Sequence, residues 1–531
     1  MKPSRRVDSL AALLLAAGAS AGLLALAMPG RIGWWPLLFL GLTPLLQMCL
    51  NAHPLRSLAG GFVFGLVYHL ALLYWILIVL GRYGGLPLWI TLPALLLLAS
   101  YMACYSAVFC GLLGVLAGRS WHRERSVAAL VWLAPLLWVG LDYVRSVLFT
   151  GFPWMDLGYG LYGQPQLIQA ADIGGHHLIT FTLVLINGLI VAIVDRQRHA
   201  VRWNLRLERR LLLMAMVCVV AVVGYSLVRH RIVASMMSRA LQARVAVVQG
   251  NIDQATKWSP ATKAQTVDTY LRLSRQALGQ GESDLVIWPE TALPFYPQRD
   301  DLINQVVGFA TSGNTWLLTG APLYSVESQP EGKDLIRYWN GALLIGPGGR
   351  VAGQYAKQHL VPFGEYVPLR QYLPFLQPLV VNIDDFSAGT ATGPLPLGPM
   401  QLGMLICYES IFPDIAGASV KQGANLLVNI TNDAWYGRSS APYQSMSMAV
   451  FRAVENKRAL VRAANTGISG FIDPLGRITE QTEIFTEAAR VTQVTLVDLQ
   501  TVFNRNGSRF GLACAVLIPF LLVLRRRSDH G

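Results

Sequence analysis

Seven apolar runs precede residue 229, at about 9–28, 33–51, 57–80, 87–117, 127–144, 178–194 and 211–228, and an eighth lies at 510–524. Runs of about 18 or more residues with few charges are long enough to cross a bilayer as helices. No water solvates the backbone in hydrocarbon, so such segments must satisfy their own hydrogen bonds, and a helix does so locally. The expected architecture is therefore a membrane part of about eight spans interrupted by one large polar segment. Its parts are 1–229 with seven spans, 230–509, and 510–531 with the last span and a basic tail.

Composition supports that division. Hydrophobic residues make up 53% of the chain and charged residues only 14%, against about 25% charged in soluble domains. The net charge of +13 does not point to nucleic acid, because the arginines cluster at the ends of apolar runs, where they set topology. Lys2, Arg5 and Arg6 before the first run resemble the start of a signal peptide. Six further runs follow closely, which favours an uncleaved helix. With the N-terminus inside, sixteen Lys and Arg fall in short inner segments and three, Arg31, Arg82 and Arg145, in short outer ones. The polar segment is then expected outside, with both termini cytoplasmic.

Five of the six cysteines sit inside apolar runs. Cys407 alone lies in the polar segment, in Leu405-Ile406-Cys407-Tyr408-Glu409-Ser410. Outer compartments are usually oxidising, and a lone thiol there has no intramolecular disulfide partner. It reads as a small buried hydrophobe or as a nucleophile. Its neighbours favour chemistry. Leu285-Val286-Ile287-Trp288 reads as a buried strand ending in Pro289-Glu290. Gly341 to Ile345 and Val351 to Tyr355 read as a hairpin leading to Lys357. A thiol, a carboxylate and an ammonium supply a nucleophile, a proton acceptor and an oxyanion stabiliser. In isolation, Glu290 and Lys357 would each read as solvated charges.

The remaining polar segment alternates strands and helices early, with hairpins later, so a mixed sheet between helices is expected. Helical character is expected over 261–279 and after about Tyr443, and further strands at Leu402 to Ile406 and Asn425 to Ile430. Within 145–176, Gly158-Tyr159-Gly160-Leu161-Tyr162-Gly163 matches a dinucleotide spacing, but no strand precedes it and no long amphipathic helix follows. His176-His177 lack a second ligand pair at metal-site spacing. The stretch reads as an interfacial loop, with neither cofactor nor metal expected.

Glu290, Lys357 and Cys407, in that order, resemble the carbon–nitrogen hydrolase (nitrilase) superfamily. Coupled to eight spans, the chain is similar to the apolipoprotein N-acyltransferase family. The strings that carry this are Val248-Gln249-Gly250-Asn251, Trp288-Pro289-Glu290-Thr291, His359-Leu360-Val361-Pro362-Phe363-Gly364-Glu365, Ile406-Cys407-Tyr408-Glu409 and Thr431-Asn432-Asp433-Ala434-Trp435-Tyr436-Gly437. The resemblance implies an α-β-β-α sandwich beside the membrane helices, in a multi-pass protein of the bacterial inner membrane with its catalytic domain in the periplasm. It implies Glu290 as base, Lys357 as oxyanion stabiliser and Cys407 as nucleophile. Glu365 would orient the lysine, Tyr408 and Glu409 would support turnover, and Trp258 and Trp435 would lie near a lipid-facing pocket. The implied partners are the bilayer, a phospholipid acyl donor and a diacylated apolipoprotein acceptor, handled by a monomer. Two alternatives stay open: a membrane-tethered amidase that uses water, and a non-enzymatic component with an inactive domain.

Overall fold

The computed structural model describes residues 9–117, 127–198, 205–279, 281–328, 334–366, 386–390 and 393–528. Of the basic residues counted for orientation, Lys2, Arg5, Arg6, Arg119, Arg123, Arg125 and Arg202 lie outside these. The chain divides into two compact units, one of residues 1–77, 87–231 and 506–531 and the other of Ile78–Leu86 and Ile232–Arg505. A nine-residue piece from within the membrane half of the sequence thus belongs to the second unit.

The first unit holds α1 (Leu10–Ala27), α2 (Thr43–Asn51), α3 (Pro54–Leu73), α4 (Leu88–Ala117), α5 (Val127–Val147), α6 (Ala171–Arg198), α7 (Leu205–Met237) as far as Arg231, and a C-terminal helix, Arg509–Ser528. Six of these, α1 and α3 to α7, are long and apolar enough to cross a membrane. The expected spans at 33–51 and 510–524 are shorter apolar helices. The first of the two is broken. A 3-10 turn at Trp35–Phe39 precedes α2, with Pro36 and Pro44 at the starts of the two pieces. The break leaves backbone groups without helical partners, and Asn187 of α6 supplies them. Its Oδ1 accepts from Leu42 N at 2.9 Å and its Nδ2 donates to Leu38 O at 2.8 Å. Broken helices are tolerated at membrane depth only when other protein groups satisfy the freed backbone.

The stretch 145–176 differs from the expected interfacial loop. Leu157–Leu161 forms a buried 3-10 turn. A Cβ on Gly158 would lie 2.7 Å from the His176 carbonyl oxygen, so close backbone approach accounts for that glycine without a nucleotide. Arg145, expected as an outer-loop charge, is buried and bonded to Asp156, with Asp142 at 3.1 Å. His176 Nε2 is 2.9 Å from the other Asp156 oxygen. Asp156, His176 and His177 bring their ligand-type atoms within 4.8 Å of one another, a grouping that spacing along the chain conceals. The guanidinium of Arg145 shares that carboxylate, which opposes a metal cation there.

The second unit is four layers. One sheet has the order β12-β1-β2-β3-β4-β5 and the other β11-β10-β9-β8-β7-β6. Their strands are β1 (Leu241–Gln249), β2 (Leu285–Ile287), β3 (Trp316–Ser328), β4 (Asp334–Ile345), β5 (Val351–Ala356), β6 (Leu395–Leu397), β7 (Met400–Ile406), β8 (Leu426–Thr431), β9 (Ala459–Ala464), β10 (Gly470–Ile472), β11 (Ile478–Thr479) and β12 (Ala488–Leu496). The central strands β1, β2 and β3 run parallel, as do β7, β8 and β9, and the outer pairings are antiparallel. Val245, Val247, Ile287 and Leu344 from one sheet pack with Leu402, Met404, Val428 and Val461 from the other. Helices α8 (Lys263–Leu278) and α9 (Ile303–Ser312) cover the outer face of the first sheet through Val267, Tyr270, Val306 and Phe309. Helices α10 (Pro413–Lys421) and α11 (Ala441–Asn456) follow β7 and β8. The single mixed sheet expected from periodicity is therefore two sheets face to face. Buried parallel strands are apolar on both faces and carry no alternation that would assign them to one sheet or the other.

Candidate active site

Each of the three principal candidates follows a strand: Glu290 comes after β2, Lys357 after β5 and Cys407 after β7. The first two strands belong to one sheet and the third to the other. β2 and β7 are fixed by buried apolar residues, whereas β5 is largely exposed and is anchored by Tyr355 next to its end.

Cys407 has φ 51°, a left-handed conformation that costs energy for any residue with a Cβ and persists only when its surroundings enforce it. Glu409 supplies much of that enforcement. Its fully buried carboxylate accepts from Ile406 N at 2.7 Å, Gln358 N at 2.6 Å, His359 N at 3.2 Å and the Tyr355 hydroxyl at 3.0 Å. Glu409 thus ties the Cys407 turn to the turn that carries Lys357. The Ser410 hydroxyl donates to the Cys407 carbonyl at 3.0 Å.

Lys357 and the two glutamates form one network. Lys357 Nζ lies 2.9 Å from Glu365 Oε2 and 3.8 Å from Glu290 Oε1. Asn340, on β4, donates from Nδ2 to Glu290 Oε1 and to Glu365 Oε1, both at 2.7 Å. The second Glu290 oxygen accepts from Asn432 N at 2.8 Å. Glu365 Oε2 also accepts from Val361 N at 2.8 Å. Donors thus converge on both carboxylates.

The electrostatics separate the roles. Burial, and then the negative charge of Glu290, push the Cys407 thiol up to about 12, against the opposing pull of Lys357. Such a shift favours the thiol over the thiolate. Burial pulls the Lys357 ammonium down, but Glu365, Glu290 and Cys407 together outweigh it and raise it, so it stays cationic. Burial lifts the Glu409 carboxyl to about 7 against the Ile406 donor and the Lys357 charge.

The other candidates lie around this core. Tyr408 is buried, with ring centroids 5.1 Å from Phe412 and 5.8 Å from His359. Trp258 and Trp435 are 40% and 39% exposed, outside the hydrogen-bonded network. Trp435 meets Tyr83 edge-on at 6.0 Å, and Tyr83 belongs to the Ile78–Leu86 piece of the same unit. Asn340 and Asn432 were not singled out from sequence. Asn432 sits in the Thr431–Gly437 string, which was the only signal for it, and no sequence signal marks Asn340.

Comparison with known proteins agrees with both halves of this description. The family described as Apolipoprotein N-acyltransferase N-terminal domain matches residues 20–189, and the Carbon-nitrogen hydrolase family matches residues 244–503. The chain is 41% identical over 511 residues to the apolipoprotein N-acyltransferase of Geobacter metallireducens, covering 96% of this chain and 94% of that one. The chain belongs to the apolipoprotein N-acyltransferase family. Relatives with the same name from Azotobacter vinelandii (35% identity, covering 94% of this chain and 92% of that one) and Pseudomonas putida (34%, covering 97% and 96%) are similar along nearly their whole length. As a family member the chain couples a carbon–nitrogen hydrolase domain to a bundle of membrane-type helices. Neither half by itself accounts for that combination.

Proposed function

We propose that this protein transfers an acyl chain from a phospholipid, through a thioester on Cys407, to the α-amino group of the N-terminal S-diacylglyceryl-cysteine of apolipoproteins. The observation that carries the reading is Cys407 on a strained turn at a strand end, with the Lys357–Glu290–Glu365 network at the ends of the facing sheet, in a chain whose described residues include six helices of membrane length. As Sγ attacks the donor's ester carbonyl, Glu290 takes its proton. The oxyanion is stabilised by Lys357 and by the backbone N–H that follows Cys407. Collapse expels the lysophospholipid oxygen, which takes the proton back from Glu290. The acceptor amine then attacks the thioester and gives a proton to Glu290; collapse breaks the C–S bond and expels the Cys407 thiolate, which takes that proton back and becomes the thiol again. Glu365 and Asn340 orient Lys357 and Glu290, Glu409 holds the nucleophile's turn, and Tyr408, Trp258 and Trp435 contact the substrates. The setting is the bacterial inner membrane, with the catalytic unit in the periplasm and both termini in the cytoplasm.

Incubation with a phospholipid labelled in its acyl chain tests the chemistry. The expected result is an acyl adduct on Cys407 by mass analysis, followed by labelled amide once a diacylated peptide is added. Release of free fatty acid, with no amide, would instead identify water as the acceptor. The same assay applied to Asn340→Asp is expected to show adduct formation slowed by about 100-fold. That change replaces two donors by a third carboxylate facing Glu290 and Glu365. Reporter fusions near residue 300 should read periplasmic and fusions at 196–210 cytoplasmic, and the reverse pattern would overturn the orientation.

A further inference from the structure

Lys257 is fully buried. Its Nζ donates to the Thr291 hydroxyl at 2.7 Å and to the Glu290 backbone carbonyl at 3.4 Å. The turn it grips is a strained one, because Thr291 has φ 48°. A Cβ on Gly320 of β3 would lie 2.5 Å from both Pro289 O and Thr291 N. The Glu290 backbone is therefore packed closely against a glycine and tied by a lysine.

The loop that carries Lys257 reaches Glu290 a second way. Gln254 Oε1 accepts from Asn432 Nδ2 at 2.6 Å, and the Asn432 backbone N–H binds the Glu290 carboxylate. Asn465 secures the start of the same loop, accepting from Ile252 N at 2.9 Å and donating to Ile252 O at 2.8 Å. Trp258, next in sequence after the buried lysine, is 40% exposed. Adjacent residues of one loop thus face the base's backbone and the outside. An ammonium is a costly way to fill this space, since methionine would occupy it without the desolvation penalty.

We infer that Lys257 is a positioning residue of acyl transfer, which locks the Glu290–Thr291 turn to the loop bearing Trp258 so that the base and the outer aromatic side chain move as one. The inference rests on Glu290 being the base. Burial pulls the Lys257 ammonium down to about 7, and Glu290, the charged group that faces it, pulls the other way.

The test is a series of full-length variants in membranes, assayed for the rate of acyl-adduct formation on Cys407 across pH and for thermal unfolding. Lys257→Met should melt no lower than the wild-type protein, since it removes a buried charge. It should load Cys407 about tenfold more slowly, as expected when the base is displaced by a fraction of an ångström, and its acid limb should move to higher pH because the site loses a buried cation. Thr291→Val, which removes the hydroxyl partner but stays β-branched, should slow loading without moving the acid limb. Wild-type loading by Lys257→Met with an unmoved acid limb would overturn the inference. So would a rate loss that only tracks a lowered melting temperature while Thr291→Val is silent. Glu290→Gln in the same series separates the two levels. Normal loading by that variant sinks the assignment of the base, whereas its loss beside an unaffected Lys257→Met sinks only the role of Lys257.

Discussion

Cys407→Ala is expected to eliminate both the acyl adduct and the amide product, a loss of at least about 10⁴-fold of the kind seen when a covalent nucleophile is removed. Alanine has no atom that can form the thioester, and nothing else in the network offers a thiol, because the other five cysteines lie outside this unit. The fold should survive the change. Alanine at φ 51° carries the same left-handed strain as cysteine, and the Glu409 hydrogen bonds that enforce the turn come from backbone and Tyr355 groups that the substitution leaves in place. Cys407→Ser should retain a trace of activity at most, since its hydroxyl is far harder to ionise. Adduct and amide measured side by side check both variants, and substantial transfer by the alanine variant would remove Cys407 from the mechanism.

Glu290→Gln is expected to slow loading by about 10²–10⁴-fold, the usual contribution of a positioned base, and to change the thiol in the opposite sense. Burial is the main reason the Cys407 thiol is pushed up to about 12, and the Glu290 charge is the next. Neutralising Glu290 should therefore lower the midpoint for alkylation of Cys407 by iodoacetamide even as turnover collapses. The glutamine also meets a mismatch, because the two carboxylate oxygens now accept from Asn340 Nδ2 and Asn432 N and an amide presents an acceptor to only one of them. Lys357→Ala makes the contrast. Losing the cation should raise the thiol further and slow loading by about 10²–10³-fold through the unstabilised oxyanion. Opposite shifts of the alkylation midpoint with a shared loss of loading would assign base and cation separately. Wild-type loading by Glu290→Gln would move the base to Glu365.

Of the principal candidates, Cys407 is legible by itself, as the one cysteine outside an apolar run. Glu290 and Lys357 read alone as solvated strand-end and hairpin charges, and gain meaning only together with that thiol. Glu365 and Glu409 gained meaning only from the resemblance. The sequence places Glu409 beside the nucleophile, while the structure makes it a brace between β7 and the turn after β5. Asn340 lay hidden because its neighbours are 50 and 25 residues away and an asparagine on a strand has no local signature. Lys257 reads locally as one more loop charge, and only tertiary packing buries it against the Glu290 turn.

The membrane half divides in the same way. Apolar runs identify the long helices because transfer of a segment into hydrocarbon depends on its own composition and length, with no partner needed. The broken stretch before α2 passes the same test, yet it is not one helix. Asn187, 145 residues away from Leu42, supplies the hydrogen bonds that let the chain bend, and hydropathy does not register a distant donor. Likewise Arg145 counts as a loop charge until Asp142 and Asp156 are seen to bury it. Local free energies, written in the order of residues, set which segments favour hydrocarbon, where strands end, and which reactive groups stand at their tips. Tertiary structure decided which of those tips face one another and which charges are buried, because both depend on cross-strand register and on partners far away in the chain.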